Sequence, residues 1–332
     1  TKQGLTEIQE IRAPDPRVPV GYRPNLIVRV EGQRKDSTAW FMAHMDVVPS
    51  GPADTWTSDP FQLRVDGDRL VGRGTEDNHQ GLVASVMALL TLAEEGVTPA
   101  RDVALLMVAD EETGSELGIQ HVLETANPFR PEDLVVVPDG GEADGSLIEV
   151  AEKSILWPRF TITGRTAHGS TPDKGRNAAR AAAHLVVRLE ELQRRFPEQD
   201  PLFDPPSSTF AVTKHEANVD NVNTIPDRDV FYFDCRLLPC HDLEEVEGFI
   251  LEHADAVAQD FGVTVEMDFV QREEAAPPTD PDAPVARALR QAVWDVYDVE
   301  ARAGGIGGGT VAAFLRRAGI PAAVWARMEE TM

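Results

Sequence analysis

Four short stretches carry the residue types that could hold a metal ion: "AHMD" with His44 and Asp46, "GRGTEDNHQG" with Asp77, "DEETG" with Asp110, Glu111 and Glu112, and "PDGG" with Asp139. The third is the most demanding. Three consecutive carboxylates repel one another, and in a partly buried cleft at least one takes up a proton unless a cation compensates. One imidazole and several carboxylates make a mixed nitrogen and oxygen donor set, which suits zinc or a related divalent ion. Each stretch is common by itself, and in so acidic a chain a solvated acidic rim is the plain alternative. The order and setting of the four favour a metal site.

Stretches 27 to 33 positions apart in sequence converge only if a scaffold delivers them, and the chain alternates strand-like and helix-like segments. "NLIVRV" and "STAWFMAHMDVV" read as strands, "QGLVASVMALLTLAEEG" as a helix, "DVALLMVA" as a strand, "SELGIQHVLETA" as a helix and "DLVVVPDGG" as a strand. Such alternation predicts an α/β fold with a mixed, largely parallel sheet and helices on both faces. In that architecture ligands gather beyond the carboxyl ends of the strands. His44, Asp46, Asp110 to Glu112 and Asp139 all fall at such ends, and Asp77 precedes the long helix.

At 332 residues the chain exceeds the roughly 250 to 300 that one core usually supports, so two domains are expected. From about Ser154 the order becomes strand, helix, strand, strand, helix, strand, which is that of a ferredoxin-like α+β unit. After "AAPPTDPDAP" the helix-strand rhythm returns. The expected division is residues 1–153 with 277–332 as the metal-binding domain, interrupted by residues 154–276 as the ferredoxin-like domain.

Composition narrows the function classes. The formal charge is −25, from 56 acids against 31 Lys plus Arg, and the lysines are confined to Lys2, Lys35, Lys153, Lys174 and Lys214. A phosphate backbone needs basic surface, so nucleic acid is excluded as a partner. The acid excess is that of a protein adapted to high salt, where screening relieves self-repulsion. The apolar fraction of 42% is ordinary, and no run approaches the roughly 18 apolar residues of a membrane span. Cys235 and Cys240 have a spacing that fits neither a redox pair nor a zinc knuckle, so free thiols in a reducing cytoplasm are expected.

"GGIGGGT", residues 304–310, reads as a glycine turn before a helix, where backbone N–H groups of Gly308, Gly309 and Thr310 would make a nest for a substrate carboxylate. No Lys-Ser or Lys-Thr follows, so it is not a phosphate loop. His121, His184 and His253 fall in helical segments and read as surface or packing residues. His79, His215 and His241 are set aside.

With these stretches in order, the chain resembles the dinuclear zinc amidohydrolases that include succinyl-diaminopimelate desuccinylase, acetylornithine deacetylase, aminoacylase and carboxypeptidases of the G type. The likeness runs from about Ala43 to the last residue and implies a zinc-exopeptidase-like fold. By that resemblance His44 and Asp139 ligate one ion, Glu112 the other, and Asp77 bridges them. Asp46 would accept the second ring N–H of His44, and Glu111 would be the general base. Two Zn2+ per subunit of the complete protein are implied, with Co2+ or Mn2+ as substitutes. Paired ions roughly 3.5 to 4 Å apart acidify a shared water and polarise an amide carbonyl, while Glu111 moves the proton. The resemblance also implies that His168, in "GRTAHGSTPDKGRNA", steadies an oxyanion in a partner subunit, and that Asn223 and Arg236 bind substrate.

The expected activity is hydrolysis of the amide bond of a small carboxylate-bearing N-acyl amino acid, by a cytoplasmic homodimer joined through the 154–276 domain. A dipeptidase or carboxypeptidase on the same scaffold is the enzymatic alternative, and a non-catalytic binder of metal or small ligand the alternative of another class. The family places a final ligand histidine after a strand matched here by "AAVWARMEETM". That histidine is expected beyond Met332, so this polypeptide is expected to hold one metal better than two.

Overall fold

The structure, a computed structural model, describes Leu5 and residues 8–329. Residues 1 and 332, the outer limits expected for the first domain, and the end of "AAVWARMEETM" lie outside the described residues. The chain divides into two compact units, Thr1–Val150 with Pro277–Gly304 and Thr310–Met332, and Ala151–Ala276 with Gly305–Gly309.

In the first unit β1 (Gln9–Pro14), β2 (Tyr22–Val30) and β3 (Arg34–His44) lead to a short hairpin of β4 (Arg64–Asp66) and β5 (Arg69–Val71). Then come α1 (Gly81–Glu94), β6 (Arg101–Val108), α2 (His121–Thr125), β7 (Leu134–Val137) and β8 (Leu147–Glu152). The second unit holds β9 (Ser154–Thr163), β10 (Ala167–His168), α3 (Ala178–Leu189), α4 (Leu192–Arg195), β11 (Thr209–His215), β12 (Thr224–Ile225), β13 (Arg228–Leu237), α5 (Leu243–Phe261) and β14 (Thr264–Glu273). The chain closes with α6 (Pro284–Tyr297), β15 (Arg302–Ile306), α7 (Ala312–Arg317) and β16 (Ala322–Val324).

The main sheet has the order β1-β2-β6-β3-β7-β16-β8-β15. Its centre is parallel: β3 runs with β6 and β7, and β7 with β16, while β1 with β2, β2 with β6 and β16 with β8 are antiparallel. Alternation along the strands explains why helices cover both faces. Leu106 and Val108 of β6 pack with Trp40 and Met42 of β3 against Ile119, Val122 and Leu315, on the side of α2 and α7. Leu105, one residue out of phase, packs with Val30 against Leu89 of α1 on the opposite side. Because β3, β6 and β7 are parallel, their carboxyl ends share one edge, where His44 closes β3 and the chain leaves Val108 and Val137.

The helix expected over "SELGIQHVLETA" is much shorter, with α2 limited to His121–Thr125 after a kinked turn at Glu116–Gln120. Gly118 breaks it: a Cβ there would stand 2.0 Å from the Ala109 carbonyl oxygen, so the chain passes the β6 exit too closely to form regular helix. Similarly, the "GGI" of "GGIGGGT" ends strand β15 instead of leading directly into a helix.

In the second unit β11-β13-β9-β14 form an antiparallel sheet. Phe231, Phe233, Cys235 and Leu237 of β13, with Leu156, Phe160 and Ile162 of β9, meet the apolar stripes of two helices. In α3 these are Ala178, Ala181, Ala182, Leu185 and Leu189, and in α5 Val246, Ile250, Ala254 and Val257, each at the spacing of one helical face. Asn177 caps α3 through the Arg180 N–H, Asp242 caps α5 through the Glu244 N–H, and Gly262 ends α5 in the left-handed conformation. Among the described residues no helix is long and apolar enough to cross a membrane.

Candidate metal centre

His44 ends β3 with its ring buried, 1% exposed. Its Nε2 lies 2.8 Å from Asp77 Oδ1 and 3.7 Å from Asp139 Oδ2. One ligand atom from each of His44, Asp77 and Asp139 lies within 4.8 Å of the other two. Ligands held at ~2.0–2.2 Å from a shared zinc-sized ion would be separated by roughly 3 to 4.4 Å, so the trio fits a divalent cation. Asp77 arrives on the irregular turn Thr75–Gln80 ahead of α1, and Asp139 two residues beyond β7.

Both ring nitrogens of His44 face oxygen, Nε2 toward Asp77 and Nδ1 toward the Asp46 carbonyl, each at 2.8 Å. Burial opposes charge on the ring, but the Asp139 and Asp77 carboxylates overcome it and push His44 up to about 11. An ion would take the place of the Nε2 proton and leave Nδ1–H on the carbonyl.

That geometry corrects the expectation for Asp46. The carbonyl oxygen of Asp46, not its carboxylate, meets His44 Nδ1; Oδ1 is 3.7 Å away. The carboxylate instead accepts the backbone N–H groups of Glu111 and Glu112, each at 3.1 Å. A strand exit thus holds the neighbouring glutamate turn by its main chain.

The three acids also leave the sheet differently from an extended strand. Asp110 takes the left-handed conformation, φ 65°, and Glu111–Thr113 form a 3-10 turn, in which successive side chains diverge by about 120°. Asp110 is buried and turns back, accepting from Thr113 Oγ1 at 2.5 Å and Leu117 N at 3.0 Å. Glu112 Oε1 accepts from Val48 N at 3.1 Å, and Glu112 is not in the close trio. Burial, then the Asp139 charge, raises Glu111 to about 8. Glu112 is also raised, by burial first and Asp77 second. Burial comes first in raising Asp139, the Asp77 charge adds to it, and His44 and Asn78 pull the other way. These carboxylates share a field that a cation would relieve.

Asn78 is the residue the sequence reading passed over. It is fully buried and donates from Nδ2 to the Pro138 carbonyl at 2.6 Å and to Asp139 Oδ1 at 2.7 Å. Its position beside Asp77, in a motif already singled out, was the available signal. His79, set aside from sequence, has Nε2 3.3 Å from the Met45 carbonyl.

His168, Asn223, Arg236, Gly308 and Gly309 belong to the second unit. β10 pairs with β12, His168 opposite Thr224, and sets His168 Nε2 3.4 Å from Asn223 Nδ2. His168 Nδ1 accepts the Ser170 N–H at 3.2 Å and lies 2.8 Å from Ser170 Oγ. Arg236 is largely engaged: Nε and Nη2 donate to Asp234 at 2.7 and 3.2 Å, Nη1 donates to the Gly307 carbonyl at 2.7 Å, and its plane lies over Trp157. A Cβ on Gly309 would lie 3.8 Å from Glu273 Oε2 and 4.0 Å from Glu152 Oε2. Thr310, in the first unit, accepts the Ala312 N–H on Oγ1 at 3.2 Å, just ahead of α7.

Comparison with known proteins follows the same lines. A family model described as peptidase family M20/M25/M40 matches residues 40–331. An uncharacterized metallohydrolase of Methanococcus maripaludis is 37% identical over 327 residues, spanning 93% of this chain and 78% of the relative. A succinyl-diaminopimelate desuccinylase of Ruegeria is 27% identical over 280 residues, spanning 82% of this chain and 72% of the relative. Among solved structures, an M20 family metallo-carboxypeptidase from Sulfolobus solfataricus superposes with a TM-score of 0.71 at 19% identity, covering 96% of this chain and 82% of the other, which shows a common fold.

Proposed function

The chain belongs to peptidase family M20/M25/M40 and is a metal-dependent hydrolase, and from that premise we propose that it cleaves the amide bond of an N-acyl amino acid, with Glu111 as general base. The observation that carries the reading is the close approach of His44, Asp77 and Asp139, with Glu111 on a turn held by Asp46. The family implies peptide or amide substrates. Sequence likeness to relatives named as desuccinylases favours the acyl amino acid over a dipeptide.

His44, Asp77 and Asp139 would hold a divalent ion, and Glu112, beside Asp77, would with it hold a second; zinc suits the donor set. When bound, such ions supply Lewis acidity to an amide carbonyl and acidify water. The chain's own groups do the rest. Glu111, poised near neutrality by burial, takes the proton of the attacking water and delivers it to the leaving nitrogen. Asp46 keeps Glu111 and Glu112 in register through their backbone N–H groups. His168 on β10 and Asn223, the residue just before β12, are suited to donate to a developing oxyanion, and Arg236 keeps an N–H on each Nη for a carboxylate. The homodimer and the cytoplasmic setting are part of the same proposal.

The test is a panel of N-acetyl and N-succinyl amino acids and dipeptides, assayed with added Zn2+, Co2+ or Mn2+. Turnover of acylated amino acids at a kcat/KM at least tenfold above that of dipeptides is expected. The reverse preference moves the protein to the dipeptidases, and no ion-dependent turnover of either class removes the proposal.

A further inference from the structure

We propose that Asn78 is the positioning residue that fixes the Asp139 carboxylate for a divalent ion; the inference rests on the metal reading of the site given above. The orientation of the Asn78 amide is settled by its neighbours. Both groups within reach of its nitrogen, the Pro138 carbonyl at 2.6 Å and Asp139 Oδ1 at 2.7 Å, are acceptors, so the NH2 end must face them. Each amide hydrogen is thereby used. The other end, Oδ1, is buried with no hydrogen-bond partner among the described residues. Leaving a buried acceptor unmatched is costly, and such groups in native proteins call for a functional reason.

The reason lies in how the two oxygens of Asp139 are divided. Oδ1 is tied to Asn78, while Oδ2 lies 3.7 Å from His44 Nε2, on the side of the trio. A carboxylate torsion is broad and roughly two-fold, so without a tether either oxygen can turn toward the ion or away from it. The tether is rigidly mounted. Asn78 O accepts the Gly81 N–H at the start of α1, and a Cβ on Gly81 would stand 2.3 Å from the Pro138 carbonyl, so helix start and β7 exit are in direct contact. Asparagine is specifically required. Aspartate would set acceptor against acceptor at both contacts, and leucine would keep the volume but donate nothing.

The experiment measures Zn2+ affinity of the chelator-stripped protein by competition with a chromophoric chelator, without reference to turnover. Asn78→Ala and Asn78→Leu are each expected to weaken Zn2+ binding by about 10–100-fold, with circular dichroism and the ion-free melting temperature reporting the fold. Two variants are used so that either suffices if one fails to fold. In an Asp139→Ala background the further effect of Asn78→Leu is expected to stay within about twofold, because a residue acting through Asp139 has nothing left to position. Near-native affinity in the folded Asn78 variants, with Asp139→Ala weakened, overturns the positioning role and leaves the metal site standing. Equal losses with and without Asp139 overturn it too. Native affinity in Asp139→Ala removes the metal reading and this inference together.

Discussion

The Asp46 carboxylate accepts the backbone N–H of Glu111 at 3.1 Å, so the exit of β3 dictates where the exit of β6 presents its glutamates. The second carboxylate oxygen does the same for Glu112, also at 3.1 Å. Replacing Asp46 with Ala removes both acceptors while leaving the carbonyl that meets His44. The expected result is a fall in kcat of about 10–100-fold with KM little changed, measured by steady-state kinetics. A change confined to KM would show that Asp46 acts on substrate instead.

Glu111→Gln keeps the shape of the side chain and removes its basicity. Turnover is expected to fall by about 10²–10⁴-fold, while zinc affinity stays within a few-fold of native by calorimetry. Joint loss of ion binding and turnover would reassign Glu111 as a ligand.

Ion binding should be linked to proton release. In the ion-free protein His44 is held up to about 11 and Glu111 up to about 8. Both therefore bind protons more tightly when folded than at their ordinary values, and a cation in the trio displaces the His44 proton. Affinity for Zn2+ is expected to rise with pH between about 6 and 8, and calorimetry in buffers of different ionisation enthalpy is expected to report net proton release. The same sign governs the ion-free fold. The contribution of Glu111 is complete below its ordinary value of about 4.3 and declines as pH rises toward 8, so ion-free protein loses stability on the alkaline side. A pH-independent affinity would contradict this assignment.

Asp15 offers a test of the scaffold away from the site. Its buried carboxylate meets Arg17 and Arg23 at 2.7 and 2.8 Å, and hydrogen bonds from Arg17 first and Arg23 second hold it well below the usual carboxylate range. A depressed folded value gives stability that is present above the unfolded value, about 3.9, and is lost as pH falls through the folded one. Asp15→Asn is therefore expected to lower the melting temperature at pH 7, with the gap to native closing below about pH 3. A gap that persists unchanged in acid would mean that packing, not charge, anchors this loop.

How much of this was legible in the sequence depends on which physical signal each feature carries. The sheet was readable because Leu105 and Leu106 must face opposite ways along a strand, so an unbroken apolar run implies cover on both faces. His44 and Asp139 were placed at strand ends for the same reason. Asp46 was misread because sequence does not distinguish its carbonyl oxygen from its carboxylate as the partner of His44. The divergence of Glu111 and Glu112 comes from the left-handed Asp110 and a 3-10 turn, which the apolar run of β6 does not announce. Asn78 was passed over since an amide has no charge to attract notice, and its value arises only where two acceptors converge on it. The carboxylates of Glu152 and Glu273 lie near Gly309, a proximity that the local composition of the glycine run does not announce.

The central claim, that His44, Asp77 and Asp139 jointly hold a divalent cation, is tested most directly by anomalous diffraction at the zinc edge from crystals of the zinc-loaded protein. A strong peak bounded by His44 Nε2 and carboxylate oxygens of Asp77 and Asp139, each at ~2.0–2.2 Å, is the expected result. A peak elsewhere with none among these three residues, or no peak from protein that turns over substrate, would contradict it.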